Sequence, residues 1–140
     1  MEQVNQVIKP VNRAGLSFSI KRGRLLIYQA TIRQLGNPEY IRFLLNLKGL
    51  RIAIQSCEPI DRDAIRVPKL MEHGKFQFEV SSSPLLSVIY KACRWEYDQT
   101  YLVFGRSYPR NHLVDYELAS AVQISSEEFL DPEGMAGDYN

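Results

Sequence analysis

The sequence predicts a mainly β protein with short helices, α+β in class, built from two strand-helix-strand-strand modules. Three observations carry this reading. Apolar residues alternate with polar ones in short runs of strand length. Gly, Pro, Asn and Ser gather between those runs, where they favour turns and caps. The order strand, helix, strand, turn, strand then occurs twice along the 140 residues.

In chain order, residues 1–14 are polar, contain Pro10 and show no sustained period, so they read as an N-terminal arm. Leu16, Phe18 and Ile20 alternate with Ser17 and Ser19 and predict a first strand. A basic turn, Lys21-Arg22-Gly23-Arg24, leads into the apolar run Leu25-Leu26-Ile27-Tyr28. From Gln29 to Leu35 the spacing becomes helical. It stops at Gly36-Asn37-Pro38, where Gly suits a left-handed C-cap and Pro cannot continue the helix. Ile41, Phe43, Leu45 and Leu47 alternate with Arg42, Leu44 and Asn46, predicting a strand with one buried face. It turns at Lys48-Gly49 and returns as Leu50, Ile52 and Ile54, a hairpin.

The first module thus spans 15–57, and a connection follows at 58–73, with Ile65-Arg66-Val67 as a short edge strand ended by Pro68. A second module, 74–117, opens with Gly74-Lys75-Phe76-Gln77-Phe78. Ser81-Ser82-Ser83-Pro84 is a helix start, with a Ser cap and Pro at the first helical position. Leu85, Leu86, Val88, Ile89, Ala92 and Cys93 form an apolar stripe at helical spacing. Thr100–Phe104 reads as a strand, 105–111 as a loop and His112–Tyr116 as the returning strand. Residues 118–140 make an acidic tail; its first part, to Ile124, fits either helical turns or a strand.

From Gly23-Arg24-Leu25-Leu26-Ile27, through a short helix ending Leu35-Gly36, to Ile52-Ala53-Ile54, the chain resembles the AbrB-like (SpoVT-AbrB, swapped-hairpin) DNA-binding domains. The resemblance covers residues 15–55. Tyr28 stands where that family usually has Pro, and Pro38-Glu39-Tyr40-Ile41 lacks its usual Gly-Asp. Two such units in a chain of this length are similar to MraZ-type regulators. The resemblance implies two swapped-hairpin modules, a role as a DNA-binding transcriptional regulator or antitoxin-like protein, double-stranded DNA as partner, and a homodimer or larger oligomer. It places Arg24 on the Arg of the Gly-Arg motif and Arg33 on a helix Arg that some members use for DNA.

Charge points the same way. The net +1 conceals a split: residues 1–56 hold nine basic and two acidic residues, a net +7, and the remainder holds eight basic and fourteen acidic residues, a net −6. Such asymmetry suggests a polyanion for the front half. The candidate DNA contacts are Lys21, Arg22 and Arg24 in the turn, Arg33 on the helix, and Arg42 and Arg51 at outward strand positions. Arg offers a planar fork to phosphate or a guanine edge, and Lys a point charge. The competing class is a protein-interaction or oligomerisation module without DNA binding, using the acidic tail and the aromatic second half.

Other chemistry finds little support in the sequence. His73 and His112 sit in no acid-base or metal pattern, there is no Gly-x-Ser-x-Gly elbow, and no phosphate-binding Gly loop. The expectation is therefore no enzyme, no cofactor and no metal. Cys57 and Cys93 form no CxxC pair and read as reduced thiols of a cytoplasmic protein. No apolar run reaches the ~20 residues of a membrane span, and Met1-Glu2-Gln3 opens no signal peptide.

Overall fold

A computed structural model of the chain describes residues 13–69 and 77–125. The arm up to residue 12, His73 and the Gly74-Lys75-Phe76 start of the second module lie outside the described residues, as does the acidic tail beyond residue 125.

Among the described residues ten strands form two antiparallel five-stranded sheets. In chain order they are β1 (Gly15–Ser19), β2 (Arg24–Tyr28), β3 (Tyr40–Asn46), β4 (Arg51–Ser56), β5 (Ile65–Arg66), β6 (Gln77–Ser81), β7 (Thr100–Phe104), β8 (Arg106–Tyr108), β9 (Leu113–Glu117) and β10 (Val122–Ile124). Helix α1 (Gln29–Gln34) joins β2 to β3, and α2 (Ser83–Cys93) joins β6 to β7. The first sheet runs β10-β7-β1-β2-β6 and the second β5-β3-β4-β9-β8, so each sheet takes strands from both halves of the chain.

The mainly β class expected from the alternation is what forms, and the alternation sets the inner faces. Leu16 and Phe18 on β1 pair across to Ile27 and Leu25 on β2 and to Val103 and Tyr101 on β7. Those side chains share one core with Ile41, Ile52, Ile54, Val114 and Tyr116 of the second sheet and with Leu86, Ile89 and Tyr90 of α2. Apolar burial on this scale stabilises the pair of sheets at roughly 25 cal/mol per Å². On its other face the first sheet gathers Leu26, Tyr28 and Leu102 into a smaller cluster with Phe104 and Ile124.

Helix ends follow the expected chemistry. At the end of α1, Gly36 takes φ +83°, its N–H donates to the Arg33 carbonyl at 2.9 Å, and the Asn37 N–H reaches Ile32 at 2.9 Å. These are the paired bonds of a Schellman motif. At the start of α2, the Ser82 hydroxyl accepts the Leu85 N–H at 3.4 Å. Ser83 is the first helical residue, so Pro84 sits second rather than first. The same helix ends on Arg94 in the left-handed region, with Trp95 N–H bonded to Tyr90 C=O at 3.0 Å.

The two hairpins β1–β2 and β3–β4 close with the same four-residue turn. Ser19 pairs with Arg24 around Ile20–Gly23, and Asn46 pairs with Arg51 around Leu47–Leu50. In each, the fourth residue's N–H returns to the first residue's carbonyl, Gly23 to Ile20 at 3.1 Å and Leu50 to Leu47 at 3.2 Å. A side-chain oxygen of the last strand residue also takes the third residue's N–H, Ser19 Oγ from Arg22 at 3.3 Å and Asn46 Oδ1 from Gly49 at 3.0 Å. The fourth position is left-handed in both, φ +68° at Gly23 and +53° at Leu50. This corrects the expectation that the second turn is made by Lys48-Gly49 alone with Leu50 already in the strand.

Two further segments differ from the sequence reading. Arg106–Tyr108 is a strand, not loop, because β9 offers it a pairing edge: Arg106 faces Asp115 and Tyr108 faces Leu113. Residues 118–124 hold a 3₁₀ turn, Leu118–Ser120, and then β10. Among the described residues no helix is long and apolar enough to cross a membrane.

Candidate nucleic-acid interface

The six cations singled out from the sequence lie on two sheets and one helix. Lys21 and Arg22 are exposed at the tip of the β1–β2 turn, held there by the Ser19 hydroxyl and the left-handed Gly23. The turn is tied to the start of α2 by a hydrogen bond from the Ser82 N–H to the Gly23 carbonyl, at 3.3 Å. Arg24, the first residue of β2, extends its guanidinium to Glu79 on β6 at 3.1 Å, with its own side chain 24% exposed and that of Glu79 48%. Arg33 is exposed in the last turn of α1, where a cation also suits the helix C-terminus. Strand β2, about 16 Å long for five residues, lies between the turn and the start of α1.

Arg42 and Arg51 belong to the second sheet. Arg42 is half-buried and grips Gln55 across the β3–β4 pair, Nε and a terminal nitrogen reaching Oε1 at 3.1 and 3.0 Å, while Gln55 donates to the Asn111 carbonyl at 3.2 Å. Arg51 forms an ion pair with Asp115 of β9 and lies directly opposite Glu117. Arg106 faces the same Asp115 from β8. The outer face of this sheet is therefore a mixed array in which acids offset the cations. A cleft of about 310 Å³ there is lined by Arg51, Arg106, Asp115 and Glu117 with Phe104 and Tyr108.

Arg13, just before β1, stacks its guanidinium over the Phe104 ring at 3.7 Å. Most of the aromatic group of the second half is core. Trp95 stacks on Tyr101 at 4.3 Å and meets Phe18 and Tyr90 edge-on at 5.4 and 5.1 Å, and Tyr116 is fully buried. Tyr97 and Tyr108 remain exposed. Lys48 occupies in the second turn the position Lys21 holds in the first, a parallel visible in Ile20-Lys21-x-x-Arg24 against Leu47-Lys48-x-x-Arg51.

A cleft of about 540 Å³ beside the second sheet brings together Tyr40, Arg42, Cys57, Glu58, Asp61 and His112. Burial pushes the Cys57 thiol up, and Asp61 and Glu58 add to this against the opposing pull of Arg42. At neutral pH the group is a thiol, a poor nucleophile. Among the described residues no cluster of three or more His, Cys, Asp or Glu is placed to hold a metal ion.

No family model, curated protein or solved structure matches the chain.

Proposed function

We propose that this protein is a DNA-binding regulator of AbrB-like character that holds the duplex backbone with the β1–β2 turn, Lys21 and Arg22 leading and Arg33 adding a contact one strand away. The supporting observation is the turn itself: two exposed cations on a tip whose backbone is fixed by Ser19, Gly23 and Ser82. Arg24 stands behind them, shared with Glu79. Arg42 and Arg51 contribute less, because Gln55 and Asp115 already engage them. Backbone contacts of this kind supply affinity without sequence preference.

The test is fluorescence anisotropy of a labelled duplex from ~50 to ~200 mM salt, where each neutralised phosphate contributes about −0.9 to the log–log slope. Replacing Lys21 and Arg22 together by Ala lowers affinity and removes nearly two phosphates from that slope, with the far-UV circular dichroism unchanged. No binding to any duplex at low salt overturns the proposal, as does binding indifferent to the double substitution.

A second reading, a protein-interaction module, is favoured by three exposed leucines at the β3–β4 hairpin, Leu44, Leu45 and Leu47. Retention of a protein partner by a chain lacking Lys21 and Arg22, with no duplex affinity in the unaltered chain, supports that reading instead.

A further inference from the structure

The second sheet has an unusual edge. Its outermost strand, β5, is two residues long and pairs only with Tyr40 and Ile41 of β3. Among the described residues no strand pairs with Arg42–Asn46 on that side. The neighbouring side chains are apolar: Leu44, Leu45 and Leu47 are 39, 37 and 39% exposed. Natural sheets blunt an open edge with Lys, Pro or a bulge. Here the only charge on the open stretch is Arg42, and its guanidinium is turned away over β4 to Gln55.

The backbone of that edge can be read residue by residue. The Glu39 carbonyl accepts the Val67 N–H at 2.8 Å, on the β5 side, and the Tyr40 carbonyl accepts the Cys57 N–H at 3.0 Å, on the β4 side. Peptide groups alternate sides along a strand, so Arg42, Leu44 and Asn46 turn theirs toward β4, and Phe43 and Leu45 present N–H and C=O at the open edge. The open stretch is centred on Leu44. It is bounded on one side by the end of β5 at Ile41 and on the other by the turn beginning at Leu47.

We propose that a second copy of this chain pairs along this edge, β3 against β3 antiparallel, with the two-fold axis at Leu44. In that register Phe43 of each copy faces Leu45 of the other as a hydrogen-bonded pair, and symmetry makes four new N–H···O=C bonds from the four outward groups. Leu44 meets Leu44 on the outer face as the closer, non-bonded pair, and Arg42 faces Asn46, so no like charges oppose one another. The end of each β5 meets the start of the other copy's turn, so the two stretches match in length. An unrelated strand satisfies the same backbone groups, but nothing requires of it this match of length, register and charge; a two-fold copy meets all three at once. The result is one continuous sheet through both molecules. The pairing is independent of the nucleic-acid reading, since it uses the other sheet and is read out without DNA.

Sedimentation equilibrium of the full chain from ~1 to ~300 µM tests it, together with Leu44→Lys, Leu44→Glu and Leu45→Pro. A dimer is expected for the unaltered chain. Leu44→Lys sets two cations face to face at an exposed position and weakens the dimer by at least ~10-fold. Leu45→Pro removes an outward N–H from each copy, two of the four bonds, and weakens it likewise. An equal mixture of the Lys and Glu variants restores it. Amide exchange keeps the proposal falsifiable should a variant misfold: in the unaltered chain, protection of the Phe43 and Leu45 amides rises with protein concentration while that of Arg42 and Leu44, bonded to β4, does not. A monomer throughout this range overturns the proposal. So does a dimer indifferent to Leu44→Lys, a mixture no tighter than either variant alone, or exchange at Phe43 and Leu45 that ignores concentration.

Discussion

The hydroxyls of Thr31 and Tyr116 lie 2.6 Å apart in the interior, joining α1 to β9 across the space between the sheets. Thr31 Oγ1 also lies 3.2 Å from the Gly15 carbonyl, which can only accept. Thr31 therefore donates to Gly15, and Tyr116 donates to Thr31. One chain of hydrogen bonds thus runs from β9 through α1 to β1.

Removing members of this chain has unequal effects. Tyr116→Phe leaves the Thr31–Gly15 bond intact and costs about 1 kcal/mol; Thr31→Val leaves both a buried phenol and a buried carbonyl unsatisfied and costs more, roughly 2–3 kcal/mol. Urea denaturation of both variants measures the difference.

The same phenol sets a limit at alkaline pH. Burial pushes the Tyr116 pKa up. Below pH ~10 folded and unfolded states both keep the proton, so stability is unaffected. Above it the unfolded tyrosine ionises while the folded one does not, and stability falls as pH rises. Tyr116→Phe makes this alkaline decline shallower, as urea midpoints at pH 9, 10 and 11 will show.

Gly105, where the chain leaves β7 for β8, has no room for a side chain. A Cβ there lies 2.5 Å from Val114 Cγ1 and 2.7 Å from Tyr116 Cε2, and the Gly105 N–H is held by the Ala14 carbonyl at 2.9 Å. Gly105→Ala is expected to cost about 1–3 kcal/mol by overpacking, measured as a lowered urea midpoint.

Three left-handed positions respond in opposite directions. Gly36→Ala at the end of α1 and Gly23→Ala in the basic turn each lose roughly 1 kcal/mol, because a Cβ disfavours φ of +83° and +68°. Arg94→Gly at the end of α2, φ +57°, gains up to about 1 kcal/mol for the same reason. Thermal unfolding of the three variants settles the signs.

Acids beside the cations supply a test of the nucleic-acid reading. Glu79→Gln removes a carboxylate charge beside Arg24 next to the turn and raises duplex affinity, adding at most about one phosphate to the salt slope. Asp115→Asn releases Arg51 on the other sheet and leaves affinity as it was. Anisotropy titrations of the two variants make the comparison.

What the sequence makes legible is local. Alternation identifies Leu16, Phe18, Ile52 and Ile54 as inward residues, and cap chemistry places the run Ser81-Ser82-Ser83 and Gly36 at helix ends, because both depend on neighbours a few positions away. Strand partnership is not local: nothing near Arg106 announces that Leu113–Glu117 will give it an edge. The candidate site divides the same way. The cluster Lys21-Arg22-Arg24 is plain from adjacency, whereas the pairing of Arg24 with Glu79 and of Arg51 with Asp115 spans 55 and 64 residues. One local signal of the open edge is the apolar Leu44 in the outward slot between Arg42 and Asn46.

The weave of early and late strands within each sheet means that a break in the connection near residue 70 severs no sheet hydrogen bond among the described residues, yet leaves two pieces with raw seams on every layer. Neither piece can close a core by itself. Mixed, the two fit together only along the same lines from which they were parted, so the molecule assembles or comes apart as a single unit.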